Sequence, residues 1–347
     1  SWLGRANYSF KDKYFIAASI RTDGSSRFGA GNKWGTFPSA AVAWRVSEES
    51  FLQPVNLIDD LKLRASYGVT GNTALSAYQS LDRFSSVRIV QGNNTDEVGY
   101  APGSLGNPDL KWETTTQIDV GFDLAMLEGK VELTFDYYKK NTNNLLASVP
   151  LPPSLGFGSS LKNIGEIQNK GIEVGVGSTI LFGDFRWNIM GQFSANKNEV
   201  IELAGDEIFG SSNSHPFNAT INIAREGEPL GVFYGLVEDG LDEDGFVQYV
   251  DMDDDGSVNA LDRVILGSPY PDFVYGLNNT FSYRNFELNV FFQGIQGRDV
   301  FWETAGVHLN SFQRGMNQFT DLVGNYWTEE NPNPNAKYPK ISSSTTQ

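Results

Sequence analysis

The feature that most constrains this chain is an alternation of apolar and polar residues, with a period of two, that recurs from one end to the other. In residues 131–135, for example, apolar Val131, Leu133 and Phe135 alternate with polar residues. Because successive side chains of a β-strand point to opposite faces, each such segment predicts a strand with one apolar and one polar face. The same pattern occupies residues 61–67, 117–126, 172–176, 185–194 and 286–293. The chain is therefore predicted to be all-β.

Strands of this kind suit either a soluble β-sandwich or a membrane β-barrel. Three features favour the barrel. Segments of about ten residues are long enough to cross a bilayer when tilted, and their polar faces carry many full charges, as expected beside a water-filled lumen. Aromatic residues also lie on the apolar faces, often near strand ends, as in interfacial girdles. They include Trp44, Tyr67, Tyr137, Trp187 and Tyr283.

The alternation also predicts which residues of such a barrel contact lipid and which face the lumen. The residues expected to contact lipid are Ile118, Val120, Phe122, Leu124, Phe185, Trp187 and Ile189. Those expected to face the lumen are Asp119, Asp123, Arg186, Asn188 and Gln192.

The connections between the predicted strands differ in length. Short turns are predicted at residues 11–13 and 181–184, and long loops at 68–111, 151–163 and 204–228. Short turns on one side and long loops on the other are typical of outer-membrane barrels. Helical periodicity is scarce, and the best candidate helix spans residues 310–327, where apolar residues recur every three or four positions.

Charge and cysteine content exclude several classes of function. The 347 residues carry a formal net charge of −16, and a net acidic surface repels nucleic-acid phosphate. The chain has no cysteine, so disulfides, thiolate metal sites and a cysteine nucleophile are excluded. No apolar run approaches the roughly 18 residues of a membrane-spanning helix, although this leaves membrane-spanning strands possible.

Motifs for enzyme catalysis are weak. His215 and His308 are the only histidines, and neither has a second histidine at catalytic or metal-ligand spacing. No G-x-S-x-G nucleophile motif is present. The glycine-rich residues 27–33 do not fit a dinucleotide-binding loop, because Trp34 stands where the third glycine is needed, and they predict a hairpin loop instead. The chain is predicted not to be an enzyme, with no catalytic residue.

The sharpest local motif is the acidic loop of residues 251–262, with the sequence DMDDDGSVNALD. Oxygen-bearing residues occupy positions 1, 3, 5, 7, 9 and 12 of an EF-hand-like loop, namely Asp251, Asp253, Asp255, Ser257, Asn259 and Asp262. Ser257 would offer its backbone carbonyl, and Gly256 lies at position 6, where the turn needs a positive φ. Asp262 stands where EF-hands have Glu, as in dockerin-type loops. The motif predicts a structural Ca²⁺ site, and the alternative is a solvated acidic turn.

An ordered set of segments resembles the SusC/RagA family of TonB-dependent outer-membrane transporters and covers nearly all of the chain. These segments are residues 21–29 (RTDGSSRFG), 34–39 (WGTFPS), 66–72 (SYGVTGN), 106–115 (GNPDLKWETT), 136–142 (DYYKKNT), 163–173 (NIGEIQNKGIE), 251–262 and 267–272 (GSPYPD). The resemblance implies that residues 1–347 are one portion of an approximately 22-stranded barrel. The N-terminal plug domain and the last strands are expected outside this chain, and the acidic loop is expected within an extracellular loop.

The resemblance also implies import without covalent chemistry. Members of the family pair with a SusD-like surface lipoprotein that lies over the extracellular mouth, and they take up oligosaccharides or, in some members, peptides. TonB acts through the plug. Two alternatives stay open: a TonB-dependent receptor for siderophore or vitamin complexes, and a soluble β-rich binding or adhesion module. The second is disfavoured because a soluble sheet would need another layer to cover its apolar faces.

Overall fold

The structure, a computed structural model, describes residues 1–91, 95–203, 205, 207–210, 212–213, 219–304 and 317–341. The described residues are dominated by β-strands, as predicted. The strands are β1 (Trp2–Phe10), β2 (Tyr14–Gly24), β3 (Trp34–Arg45), β4 (Ile58–Asn72), β5 (Arg83–Gln91), β6 (Thr95–Ser104), β7 (Glu113–Met126), β8 (Val131–Asn143), β9 (Leu146–Pro150), β10 (Ser159–Asn163), β11 (Glu166–Phe182), β12 (Phe185–Glu202), β13 (Glu207–Phe209), β14 (Ser212–Asn213), β15 (Ala219–Thr220), β16 (Asn222–Arg225), β17 (Val232–Gly235), β18 (Glu238–Leu241), β19 (Val247–Tyr249), β20 (Val264–Gly267), β21 (Phe273–Tyr283) and β22 (Phe286–Gln296).

Short 3₁₀ turns are found at Val46–Glu48, Pro153–Leu155, Ala260–Asp262 and Thr320–Leu322. In the part of the chain that the structure describes, no helix has both the length and the apolar character needed to cross a membrane.

Ten strands form one antiparallel sheet in the order β1-β2-β3-β4-β7-β8-β11-β12-β21-β22. Each strand pairs with the next along this order, so the sheet is a meander interrupted by long excursions after β4, β8 and β12. Within the described residues the sheet does not close on itself, and β1 and β22 are its two edges. This is an open portion of an antiparallel barrel wall, which confirms the predicted fold.

The register confirms the predicted alternation, because partners on neighbouring strands share a face. One row across the sheet contains only apolar residues on six adjacent strands: Trp44, Leu63, Phe122, Phe135, Val174 and Phe193. The next row contains Arg64, Gly121, Asp136, Glu173 and Ser194. We call these the outer and the inner face. Ile118 and Val120, which belong to the outer face, are 47 % and 51 % exposed.

The short turns lie where they were predicted, except that residues 181–182 of the second still belong to β11. Residues 11–13 join β1 to β2, with positive φ at Lys11 and Asp12, and Gly183, also with positive φ, lies in the turn from β11 to β12. The predicted loop of residues 27–33 is likewise the connection between β2 and β3.

All three predicted long loops contain more strand than expected. The described part of the predicted loop 204–228 contains β13, β14, β15 and β16. Residues 68–72 continue β4, where Thr70 and its neighbours pair with β7, and β5 and β6 form a separate hairpin within the predicted loop 68–111. The predicted loop 151–163 ends in β10, which pairs with β9. The sequence did not predict these strands, because pairing with partner strands holds them in place and their own apolar–polar pattern does not identify them.

The prediction of a helix over residues 310–327 is wrong for the part that the structure describes. Residues 310–316 lie outside the described residues, and residues 317–327 contain one 3₁₀ turn, Thr320–Leu322. The backbone N–H of Trp327 donates to Tyr338 O at 3.0 Å, and that of Tyr338 donates to Asn325 O at 3.1 Å. Pairing with a distant segment therefore satisfies the backbone groups that a helix would have bonded internally.

The chain divides into two compact units, 1–206 with 272–296 and 207–271 with 297–347. The first unit contains the ten-stranded sheet. Its long connections pack around buried Phe28, Leu75 and Leu110, with Trp112 against them. The second unit contains β13–β20, the acidic loop and, among its buried residues, Trp327.

Candidate metal centre

The acidic loop lies between β19 and β20 and turns through two residues in the left-handed region. Asp254 has a φ of 58° and Gly256 a φ of 87°. Only glycine adopts such a φ without steric cost, which explains Gly256 at position 6 of the motif. These two residues reverse the chain and direct the flanking carboxylates toward one point.

Three of the predicted ligands come together. Carboxylate oxygens of Asp251, Asp253 and Asp255 all lie within 4.8 Å of one another. Desolvation by the surrounding loop raises the pKa of Asp253 above its ordinary value, and repulsion from Asp255 and Asp262 adds to this rise. Oδ1 of Asp251 is buried and has no hydrogen-bond partner among the described residues. The arrangement therefore combines clustered negative charge with an unsatisfied acceptor, which a cation would relieve.

Asp262 lies outside that group of three and is fully buried. Its carboxylate accepts hydrogen bonds from the backbone N–H groups of Asn259, at 2.6 Å, and Met252, at 2.7 Å. The Asn259 N–H, first, and then that of Met252 hold the pKa of Asp262 below its ordinary value. Asp262 thus ties the two ends of the loop together, and a carboxylate so placed still has lone pairs for a metal ion.

The remaining two predicted ligands contact each other. The side-chain amide of Asn259 donates to Ser257 O at 3.0 Å, while Asn259 Oδ1 accepts from the N–H of Leu261 at 2.8 Å. Asn259 and Asp262 also form a reciprocal capping box around the 3₁₀ turn Ala260–Asp262. Ser257 and Asn259 therefore lie in the loop that the motif predicts, with their oxygens engaged within the protein.

A second polar cluster, on the inner face of the sheet, was not singled out from the sequence. Arg64 of β4 lies 3.0 Å from Asp123 of β7 and 3.1 Å from Asp136 of β8. Gly121 stands between Arg64 and Asp136 in the register, and a Cβ there would lie 2.2 Å from Asp136 Oδ1. The sequence signal that could have revealed this cluster is Gly121, a glycine on the polar face of a strand with charged neighbours. His215 and His308 lie outside the described residues.

Comparisons with known proteins agree with this architecture. The family model described as "TonB dependent receptor-like, beta-barrel" matches residues 1–328. The chain is 39 % identical to TonB-dependent receptor P3 of Formosa agariphila, over 98 % of this chain and 36 % of that protein. It is 31 % identical to TonB-dependent receptor SusC of Bacteroides thetaiotaomicron, over 91 % of this chain and 33 % of that protein. The chain thus spans about a third of the length of these curated relatives.

Solved structures lead to the same family. The structure of the RagAB peptide importer in the "open-open" state matches 99 % of this chain and 37 % of the other, with 26 % identity and a TM-score of 0.82. A second structure, of the RagAB peptide transporter, gives a TM-score of 0.80 at 26 % identity over the same share of this chain. Relatives of this type are β-barrels of the outer membrane. The chain belongs to the TonB-dependent receptor-like β-barrel family, as a SusC/RagA-type barrel wall of the outer membrane.

Proposed function

We propose that this chain is part of an importer that carries oligosaccharides or peptides across the outer membrane. The observation that supports this proposal is the extent of the similarity. SusC matches 91 % of this chain, and the RagAB peptide importer matches 99 % of it. In this proposal a SusD-like lipoprotein covers the extracellular mouth, and TonB supplies energy through a part of the protein outside this chain.

The inner face of the sheet supports passage of a hydrated cargo. Ser66 and Gln117 both donate to the carboxylate of Asp119, at 2.9 and 2.7 Å, and the Arg64 cluster lies beside them. Hydrogen-bonding groups of this density suit a water-filled lumen. No step of covalent chemistry is required, because transport changes the position of the cargo and not its bonds.

Uptake by cells tests the proposal. A strain lacking the full-length gene should lose uptake of a fluorescent oligosaccharide or peptide, and the restored gene should recover it. Removing the neighbouring gene for a SusD-like lipoprotein, or dissipating the proton-motive force, should have the same effect. Uptake of an iron complex in place of both cargoes would contradict the proposal and favour a siderophore receptor.

We further propose that the acidic loop binds Ca²⁺ as a structural cofactor. The clustered oxygens of Asp251, Asp253 and Asp255, and the unsatisfied Oδ1 of Asp251, support this proposal. Asp262, Asn259 and the Ser257 carbonyl would complete the ligands. Calcium accepts six to eight oxygens in a flexible arrangement, whereas magnesium demands a near-ideal octahedron. The ion would hold the loop in one conformation and fix a surface for the lipoprotein.

Calcium-dependent protection of the loop from proteolysis tests this second proposal. In the full-length receptor, Ca²⁺ should slow cleavage within residues 251–262, and the double variant Asp251→Ala, Asp255→Ala should lose that protection. Asp239→Ala removes an exposed acid of β18, outside the loop, and should keep the protection. Equal protection in the double variant would reduce the motif to a solvated acidic turn.

A further inference from the structure

Three lysines form a row on the outer face of the sheet. The register pairs Lys139 of β8 with Lys170 of β11, and Lys170 with Lys197 of β12. Residues paired in this way share a face, and the partner of Lys139 on the other side is Ile118 of the outer face. The three lysines therefore lie on the face that contacts lipid.

Charged residues on the outer face are confined to the strands that carry this lysine row. The ten strands of the sheet all fall within the described residues. Apart from Asp59 and Glu202, each at a bulge, the register places five charged residues on their outer face. They are Lys139, Lys170, Lys197, Glu166 and Glu199. All five belong to three adjacent strands, whereas charges on the inner face occur across the sheet.

The acidic residues nearby leave part of this positive charge without a partner. Lys197 Nζ lies 3.1 Å from Glu199 Oε2, and Glu166 accepts from the side-chain amide of Asn141 at 2.8 Å. Among the described residues, no carboxylate lies within ion-pair distance of Lys139 or Lys170. Like charges directly opposite each other destabilise neighbouring strands, so an external anion would stabilise this row.

The height of the row on the barrel wall identifies the kind of anion. Lys139 follows Tyr137 by two positions, which is roughly 7 Å further along β8 and toward the end where the long connections lie. Tyrosines on a lipid-facing surface mark the level of the headgroups, and long loops mark the extracellular side. The lysine row therefore lies at the headgroup level of the outer leaflet.

We propose that Lys139, Lys170 and Lys197 bind the phosphate groups of an anionic lipid in the outer leaflet. Neighbouring strands are about 4.8 Å apart, so the row spans roughly 10 Å and can contact a headgroup that carries two phosphates. Lysine suits this role because its ammonium group is a compact charge on a flexible stem that reaches up to phosphate. The inference rests on the membrane location and is independent of the cargo.

Binding of a bisphosphorylated glycolipid tests the proposal. The full-length receptor in a neutral detergent would be titrated with lipid A, and bound lipid would be counted by native mass spectrometry. The double variant Lys139→Gln, Lys170→Gln should bind lipid A at least tenfold more weakly than wild type. The matched control is Lys140→Gln, since Lys140 follows Lys139 in the chain but pairs with Gln117 and Asn169 of the inner face, and it should bind as wild type does.

Further comparisons make the result decisive. The charge-keeping double variant Lys139→Arg, Lys170→Arg should retain binding, and added salt should weaken binding by wild type. Equal affinity in the glutamine variant, or equal binding of dephosphorylated lipid A, would overturn the proposal. Displacement of lipid A by an equal concentration of inorganic pyrophosphate would also overturn it, because the site would then recognise free phosphate and not a lipid.

Discussion

The two faces of the ten-stranded sheet are built from the same strands, yet they are stabilised in different ways. The outer face contains rows such as Leu63, Phe122 and Phe135, whose side chains are apolar throughout. The inner face contains the Arg64 cluster, in which one guanidinium contacts two carboxylates at 3.0–3.1 Å. We therefore expect the middle of the outer face to accept exchange among apolar residues but not a charge. We expect the inner face to accept polar substitutions where there is space for the side chain.

One polar side chain on the outer face supports this comparison. Asn279 of β21 lies on the outer face and is 7 % exposed, and its side-chain oxygen accepts a hydrogen bond from Trp187 Nε1 at 3.2 Å. This polar side chain is thus both buried and hydrogen-bonded, as a membrane environment requires. The lysine row is also polar, and the proposal above places it at headgroup level rather than in the middle of the bilayer.

The largest expected effect is a charge placed in the middle of the outer face. Val120→Arg should destabilise the folded barrel by about 2–4 kcal/mol if the residue lies near the bilayer midplane, because the guanidinium must be moved into hydrocarbon. Gln192→Arg places the same charge on the inner face of β12 and should cost much less. Equilibrium unfolding of the full-length receptor in lipid vesicles measures both, and equal destabilisation would contradict the difference between the faces.

A smaller loss is expected when space on the inner face is filled. In Gly121→Ala the new Cβ would lie 2.5 Å from Phe135 O, a backbone atom, so the strand must shift at a cost of about 1–3 kcal/mol. Gly177→Ala is the matched control, since its Cβ would meet nothing closer than 3.7 Å on the same face. The same unfolding experiment should show a loss for Gly121→Ala alone. Similar losses in both variants would point to a general effect of β-strand glycines.

The smallest effect concerns the ion pairs of the inner face. Arg64 and Asp136 are 35 % and 32 % exposed, so water screens their attraction. A double-mutant cycle of Arg64→Gln and Asp136→Asn should give a coupling free energy of about 0.2–1 kcal/mol, falling with added salt. A coupling that is several times larger and independent of salt would mean that this part of the inner face is dry.

The sequence predicts local features of this fold well. The two faces and the short turns follow from alternation and turn residues, which depend on neighbours in the chain. The polar end of β4, residues 68–72, carries no such pattern and is held by β7. Predicting the lysine row would also require the register of three strands, and the sequence of a single strand does not show that register.

The acidic loop shows the same limit at the level of a site. The motif correctly brings Asp251, Asp253 and Asp255 together, because a single tight turn sets their spacing. It does not reveal that Asp262 accepts two backbone hydrogen bonds. That role depends on how the 3₁₀ turn closes the loop around the carboxylate, which the spacing of the motif does not show.

The most direct test of the membrane assignment measures what each face of one strand contacts. The chain has no cysteine, so Ile189→Cys and Gln192→Cys on β12 each provide a unique labelling site within it. In the full-length receptor in vesicles, a nitroxide at residue 189 should be relaxed mainly by oxygen, which concentrates in lipid. A nitroxide at residue 192 should be relaxed mainly by a water-soluble nickel chelate. Equal access of the chelate to both positions would contradict the assignment of the apolar face to lipid.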